Sequence, residues 1–306
     1  MTDYLVTEIQ KMMTENRPMP VCQRWREHRS QYRPSGEVIN IDEDGYFAEK
    51  IPFELAKRFV DKHHYSKSYV ATQLQVGLWR DNEWGMHELC GVAAFSVPMS
   101  QRVIPKWLGC EPHEGTDLGR FVLLDDVPGN GESWFLGKAF EILEVELPEK
   151  RAVMATSDPV MRKNILGYME MPGHVGTIYQ AHNGAWLGRT TKKTLHAGPT
   201  GNVLTARTIS KVRNQESGKD YAYEKLLNAG APEKNEDEDW REYTARALQH
   251  LIKYRHPGNH VYSWALGNKK QKRETRQMIG NANLEVFPTG TALKNPSRYP
   301  KIVESY

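Results

Sequence analysis

The run Asp117-Leu118-Gly119-Arg120-Phe121-Val122-Leu123-Leu124, broken by Asp125-Asp126-Val127-Pro128-Gly129-Asn130-Gly131-Glu132 and resumed as Ser133-Trp134-Phe135-Leu136-Gly137-Lys138-Ala139-Phe140-Glu141-Ile142-Leu143, decides the fold. Leu118–Leu124 is short and mostly apolar, as in a sheet strand covered on both faces. The turn formers that follow end it, and Ser133 is placed to cap a helix over Trp134–Leu143. A second apolar run, Ala152–Thr156, ends at Ser157-Asp158-Pro159, and Gly173–Asn183 carries a helix with Tyr179 on it. Strand, glycine-containing turn, helix, strand and helix make a mixed α/β fold with polar side chains at the strand ends.

Upstream, Val38–Ile41 reads as a first strand and Pro52–Lys62 as an amphipathic helix, with Phe53, Ala56, Phe59 and Val60 on its apolar side. Leu74–Trp79 and Leu89–Val97 read as a hairpin joined by Arg80–Gly85, and Ser100–Asp117 as a long loop. Residues 1–36, interrupted by prolines at 18, 20 and 34, form an N-terminal arm with a short helix over Tyr4–Met13. Downstream, Ala185–Thr190 is a strand, Leu195–Thr205 a polar hairpin, and Leu204–Ile209 a strand that would present Arg207. Tyr221–Ala229 and Trp240–Tyr254 read as helices and His260–Leu266 as a closing strand. The organisation expected is therefore an arm (1–36), a core (37–210) and a helical, basic extension (211–306) packed on it.

The 306 residues are 26% charged and 39% hydrophobic, the balance of a globular protein with a sizeable core. No apolar run approaches the roughly 18 residues of a membrane span, and Met1-Thr2-Asp3-Tyr4-Leu5 lacks the layout of a secretory signal, so a cytoplasmic location is expected. Cys22, Cys90 and Cys110 are too scattered for a disulfide framework. His87 and Cys90 have no second pair spaced to complete a zinc site. The net charge of +3 does not itself argue for nucleic acid, but cations cluster at Arg189, Lys192 and Lys193 and at Lys269, Lys270, Lys272, Arg273 and Arg276. Such clusters are either solvated faces or phosphate contacts.

Three further positions carry two readings each. His63-His64-Tyr65-Ser66 at a helix end could orient a base, relay a proton or bind a metal, or could simply cap the helix. Arg120, inside an apolar strand, needs a carboxylate, a phosphate or a substrate. Asp158 stands either as a turn residue before Pro159 or as a functional carboxylate at a strand end.

Taken together, His63-His64-Tyr65-Ser66, Leu118–Leu123, Ser133-Trp134-Phe135-Leu136, Ser157-Asp158-Pro159 and Gly173–Asn183 resemble the Mom family of bacteriophage DNA-modification proteins over about residues 50 to 210. The element order resembles the GNAT acyltransferase fold, a mixed, mostly antiparallel sheet flanked by helices. The resemblance implies a phage-encoded enzyme in the host cell that converts the N6 amine of adenine in double-stranded DNA to a carbamoylmethyl, glycinamide-like group and so blocks restriction. It implies catalytic roles for His64, Tyr65, Asp158 and Tyr179, and substrate contacts from His63, Ser66, Ser157, His174, Gln180 and Asn183. A small-molecule donor would sit at Arg120, Gly129, Gly131 and Ser133, its phosphates facing backbone N–H groups at a helix N-terminus. DNA would meet Arg207, Lys269, Lys270, Lys272 and Arg273. Pro128-Gly129-Asn130-Gly131-Glu132-Ser133 departs from the acetyltransferase loop by placing Glu132 where an anion would approach, which leaves the donor open between acyl-CoA and another activated molecule. A metal, if used, would draw on His63, His64 and Asp158, a weak ligand set. Two other functions fit the same chain: a GNAT N-acyltransferase acting on a small-molecule or protein amine, and a DNA-binding protein without catalysis. The sequence leaves the oligomeric state unknown.

Overall fold

Leu74, Val76 and Leu78 alternate with Gln75, Gly77 and Trp79, so β4 (Thr72–Asp81) buries one row of side chains in the main core. It pairs antiparallel with β5 (His87–Ser96), which pairs antiparallel with β6 (Gly115–Leu123). The computed structural model describes residues 20–26, 29–34, 39, 45–66, 68–81, 84–201 and 203–287. The expected helix over Tyr4–Met13 lies outside the described residues, as does the expected strand Val38–Ile41 apart from Ile39. In the region read as an arm, β1 (Pro20–Arg26) and β2 (Arg29–Pro34) form an antiparallel pair.

The chain divides into two units that interleave in sequence. The first holds the described residues up to Thr156, then Gly176–Gly188 and the described residues from Val261 onward. Its seven-stranded, mostly antiparallel sheet has the order β10-β14-β7-β6-β5-β4-β3, where β3 is Phe47–Lys50, β7 Ala152–Ser157, β10 Ala185–Arg189 and β14 His260–Ala265. The strand expected to close the chain thus sits inside the sheet, between β10 and β7. On one face lies α3 (Gly131–Glu146), whose Phe135, Leu136, Ala139, Phe140 and Leu143 meet Phe95, Leu118 and Leu123. Each such burial is worth about 1.5–3 kcal/mol for a large apolar side chain. On the other face α1 (Phe53–His63) seats Ala56, Phe59 and Val60 against Val92 and Val122. The segment expected as a loop contains α2 (Val103–Leu108), whose Ile104 and Leu108 pack with Ile279 of α8 (Lys269–Ala282).

The second unit holds Ser157–Val175 and Arg189–His260. In it β11 (Lys193–Ala197) pairs with β12 (Val203–Leu204) and with β13 (Ile252–His256), and β8 (Arg162–Lys163) pairs with β9 (Met169–Met171). Three helices, α5 (Ala206–Arg213), α6 (Lys219–Asn228) and α7 (Trp240–Ala247), bury Val212, Leu226 and Tyr243 in its core. Two sequence expectations change here. Leu204–Ile209 is not a strand, because the Thr205 hydroxyl accepts from the Thr208 N–H at 3.0 Å and starts α5 after Leu204. The helix expected to reach Tyr254 ends at Ala247, and Ile252–His256 is strand β13.

Candidate functional site

The geometry of the first unit's site begins with a bulge. Ser96 of β5 faces Asp117 and Ala94 faces Arg120, while Phe95 faces Leu118, so Gly119 is an extra residue on β6. Ser96 and Ala94 share one face of β5, and the bulge therefore puts Asp117 and Arg120 on the same face, where an unbroken strand would have opposed them. Only glycine fits at the bulge, since a Cβ on Gly119 would lie 2.4 Å from Ser96 Oγ and 3.0 Å from Val70 Cγ2. β6 runs parallel to β7 only over Gly115–Asp117 against Ala152–Met154, and the two strands part beyond Asp117.

Arg120 donates to the Ser68 carbonyl at 2.8 Å, to Ser68 Oγ at 3.0 Å and to its neighbour Gly119 O at 2.6 Å. Among the described residues it makes no ion pair. Burial pulls its proton affinity down, opposed by Tyr65, Asp117, Tyr179 and Tyr69, whose electrostatic influence reaches it. Asp117 was not singled out from the sequence. Burial pushes its carboxyl up to about 7 against the pull of Arg120 and Ser96. Asp117 Oδ1 is shut off from solvent without a hydrogen-bond partner. The signal in the sequence was a carboxylate three residues before the arginine of a mostly apolar strand.

Tyr65 is 44% exposed and its ring lies against His64 at 4.2 Å. His64 N–H caps α1 by donating to Val60 O at 2.9 Å, and its Nδ1 accepts from Ser66 N–H at 3.1 Å and meets Ser66 Oγ at 2.8 Å. His63 packs on Phe59 at 4.6 Å. Tyr179, on α4 (Thr177–Ala181), is buried edge-on to Trp264 at 5.6 Å, and burial raises its hydroxyl far above the usual phenol value, helped by Tyr65 and Asp117. Gln180 Nε2 donates to Tyr262 Oη at 2.8 Å, and Asn183 holds a left-handed backbone (φ 60°) after α4. The structure thus gathers Tyr65, Arg120 and Tyr179 with Asp117 within mutual electrostatic reach.

The turn expected to hold donor phosphates is built otherwise. Ser133 lies inside α3, which begins at Gly131 with Asn130 as its N-cap, so Ser133 does not cap it. Asn130 Oδ1 accepts from Ile39 N–H at 2.6 Å, and a Cβ on Gly131 would fall 2.4 Å from Val127 Cγ1. Glu132, only 6% exposed, places a carboxylate in the helix's first turn. Gly129, Gly131 and Ser133 thus lie at a helix start whose first turn carries the Glu132 carboxylate, a negative charge where an anion would approach.

In the second unit, Asp158 Oδ2 pairs with Arg162 at 2.8 Å, and its Oδ1 accepts from His256 Nε2 at 2.8 Å and from Val160 N–H at 3.0 Å. His256 Nδ1 accepts from Gly258 N–H at 3.0 Å, which fixes the proton on the Nε2 that faces Asp158. Burial alone would raise the Asp158 carboxyl, but the His256 hydrogen bond, the Arg162 charge and the Val160 N–H outweigh it and hold it well below the usual carboxylate range. Asp158 is therefore held as a carboxylate between Arg162 and His256. His174 N–H donates to the Asp158 carbonyl at 2.8 Å, and burial lowers the His174 imidazole to about 4. Ser157 ends β7 with its Oγ buried and without a hydrogen-bond partner.

Arg207 stands on α5, paired with Glu216 at 2.5 Å, rather than on a strand. Lys269, Lys270, Lys272 and Arg273 open α8, started by an Asn268 capping box; Lys270 lies 4.0 Å from Glu274 and Lys272 3.7 Å from Glu144. Among the described residues no group of three His, Cys, Asp or Glu side chains could hold a metal ion, and no helix is long and apolar enough to cross a membrane. His63 and His64 belong to the first unit and Asp158 to the second.

No curated protein matches the chain. The family model described as the Mom protein family matches residues 46–245, a stretch that takes in the bulged strand and, in the second unit, Asp158 with Arg162. The chain belongs to the Mom protein family, a family of phage DNA-modification proteins.

Proposed function

We propose that this protein is a transferase that replaces a hydrogen on the N6 amine of adenine in duplex DNA with a carbamoylmethyl-type group. The observation that carries the reading is that the Gly119 bulge puts Asp117, whose Oδ1 is enclosed without a hydrogen-bond partner, on the same strand face as Arg120, within electrostatic reach of Tyr65 and Tyr179. Family membership supplies DNA as the substrate. An enzyme acting on a base must take it from the stack, offer it an aromatic face and accept a proton. The exposed Tyr65 ring offers the face. Asp117, with a carboxyl at about 7, is ionised often enough at neutral pH and basic enough to take the N6 proton as the new N–C bond forms. The bonding pair leaves with the leaving group of a small activated carbamoylmethyl donor, and Arg120 faces the charge that develops. The Glu132 carboxylate in the first turn of α3 weighs against acyl-CoA as that donor and hence against the ordinary N-acyltransferase.

Nucleoside mass spectrometry on DNA from cells expressing the full chain tests this. A heavier deoxyadenosine is expected with the wild type and lost with folded Asp117→Asn and Arg120→Ala variants. Unmodified DNA beside abundant folded wild-type protein overturns the reading. Intact DNA binding under that outcome favours the non-catalytic DNA-binding protein, and CoA-dependent thiol release favours the acyltransferase.

A further inference from the structure

The turn between β8 and β9 exposes its apolar side chains while holding its backbone still. Ile165 is 68% exposed, Leu166 74% and Tyr168 61%. Isolated exposed apolar residues need no explanation, but three within four positions on one braced turn do. Asn164 Oδ1 accepts from the N–H groups of Leu166 and Tyr168, both at 3.0 Å, and Asn164 Nδ2 donates to Glu170 at 2.8 Å. Gly167, at φ +83°, donates to Asn164 O at 3.0 Å, and Ile165 N–H donates to Pro199 O at 2.9 Å. At the base, Tyr254 Oη donates to Lys163 O at 2.9 Å, and Arg162 is gripped by Asp158, which also holds His256 of β13. The hairpin is thus tied to β13 from both of its neighbouring positions, and the Asp158 cluster becomes its anchor.

We propose that this turn is a wedge, which inserts Ile165 and Leu166 between base pairs of duplex DNA. The inference rests on the DNA-modifying reading above. Apolar side chains pushed between base steps unstack and kink a duplex, at a cost of a few kcal/mol per step that surrounding phosphate contacts offset. A wedge must be rigid to do this, and the hydrogen-bonded turn is. It must also be flanked by cations: Lys163 is exposed at the hairpin's base, and Lys253 and Arg255, both exposed, flank Tyr254 on β13. Glu170, a carboxylate bonded to the turn, accepts from Asn164. A narrow tip with basic neighbours fits a base step better than a protein partner, which calls for a broad apolar patch.

The test closes nicked plasmid with ligase in the presence of the full chain and compares topoisomer distributions, since insertion between base pairs changes the linking number whatever the sequence. The wild type is expected to shift the distribution. Ile165→Ser/Leu166→Ser should abolish the shift while changing plasmid affinity, read by filter binding, less than about threefold, because phosphate contacts supply most non-specific affinity. Leu166→Met, which keeps an apolar tip, should retain it. A wild type that binds plasmid without shifting it, or a double variant that shifts it as the wild type does, overturns the wedge alone. So does a double variant whose only change is in self-association, which would make the tip a protein contact. A wild type that neither binds plasmid nor modifies DNA in cells overturns the reading beneath it.

Discussion

Replacing Asp117 by asparagine should make the protein more stable and inactive, with a gain that grows with pH. Burial carries this carboxyl from 3.8 to about 7. The folded state therefore holds the proton more tightly than the unfolded chain, so ionisation costs stability as pH rises through that window and the cost levels off above about 7. At about 1.36 kcal/mol per tenfold, the full cost is about 4 kcal/mol, of which about 2 kcal/mol accrues between about pH 5.5 and about pH 8. The residue is half-buried although its Oδ1 is enclosed, and solvent screening reduces that figure to ~1–2 kcal/mol. Asparagine keeps the shape and never ionises. Urea unfolding of both proteins at the two pH values, with hydrogen exchange at the β5 and β6 amides to confine the effect to the first unit, should show the variant gaining by that amount at the higher pH. Nucleoside mass spectrometry should show no modified adenine. A stability difference that does not change with pH refutes the buried charge and, with it, Asp117 as the proton acceptor.

Asp158→Ala leaves Arg162 and His256 buried without their counter-group and should cost about 3–5 kcal/mol, seen as faster hydrogen exchange in β8 and β13, whereas Asp158→Asn should cost less; an alanine variant as protected as the wild type would remove Asp158 as an anchor. His174 is held neutral with an imidazole at about 4, below its ordinary 6.5, so its contribution is complete above about 6.5 and falls away as pH drops towards 4, by roughly 2–3 kcal/mol. His174→Gln should flatten that part of the acid-unfolding curve, and an unchanged slope would contradict the burial. Replacing Lys269, Lys270, Lys272 and Arg273 by glutamine should lower the slope of log affinity for duplex DNA against log salt by about 2–3, less than four because Lys272 already faces Glu144; an unchanged slope makes the cluster a solvated face.

Elements held by local pattern were legible in the sequence. The β4–β5 hairpin followed from alternation, and the core of α3 from its apolar spacing. Ala206–Arg213 reads as part of a strand because Thr205, Thr208 and Ile209 are β-branched, although Thr205 three residues before Thr208 is a helix cap. The place of β14 within the sheet was not legible, since nothing local in His260–Ala265 names β7 and β10 as its neighbours. At the site, Arg120 was conspicuous as a charge in an apolar strand, but its sharing a face with Asp117 depends on a bulge, which shifts side-chain phase without leaving a mark in composition. Asp158 stood out as a strand-end carboxylate, and only the partners it finds at Arg162 and His256 show where its charge is spent.

The position of β14 also sets the order in which the protein can be made. As the chain emerges from the ribosome, β3 to β7 are available long before His260–Ala265, so β7 waits with an unpaired edge while roughly a hundred further residues are synthesised, on the order of ten seconds at typical elongation rates. An open edge of Ala152-Val153-Met154-Ala155-Thr156 is a ready template for pairing between nascent chains. A chain cut before His260 would therefore be recovered as aggregate rather than as a smaller folded core.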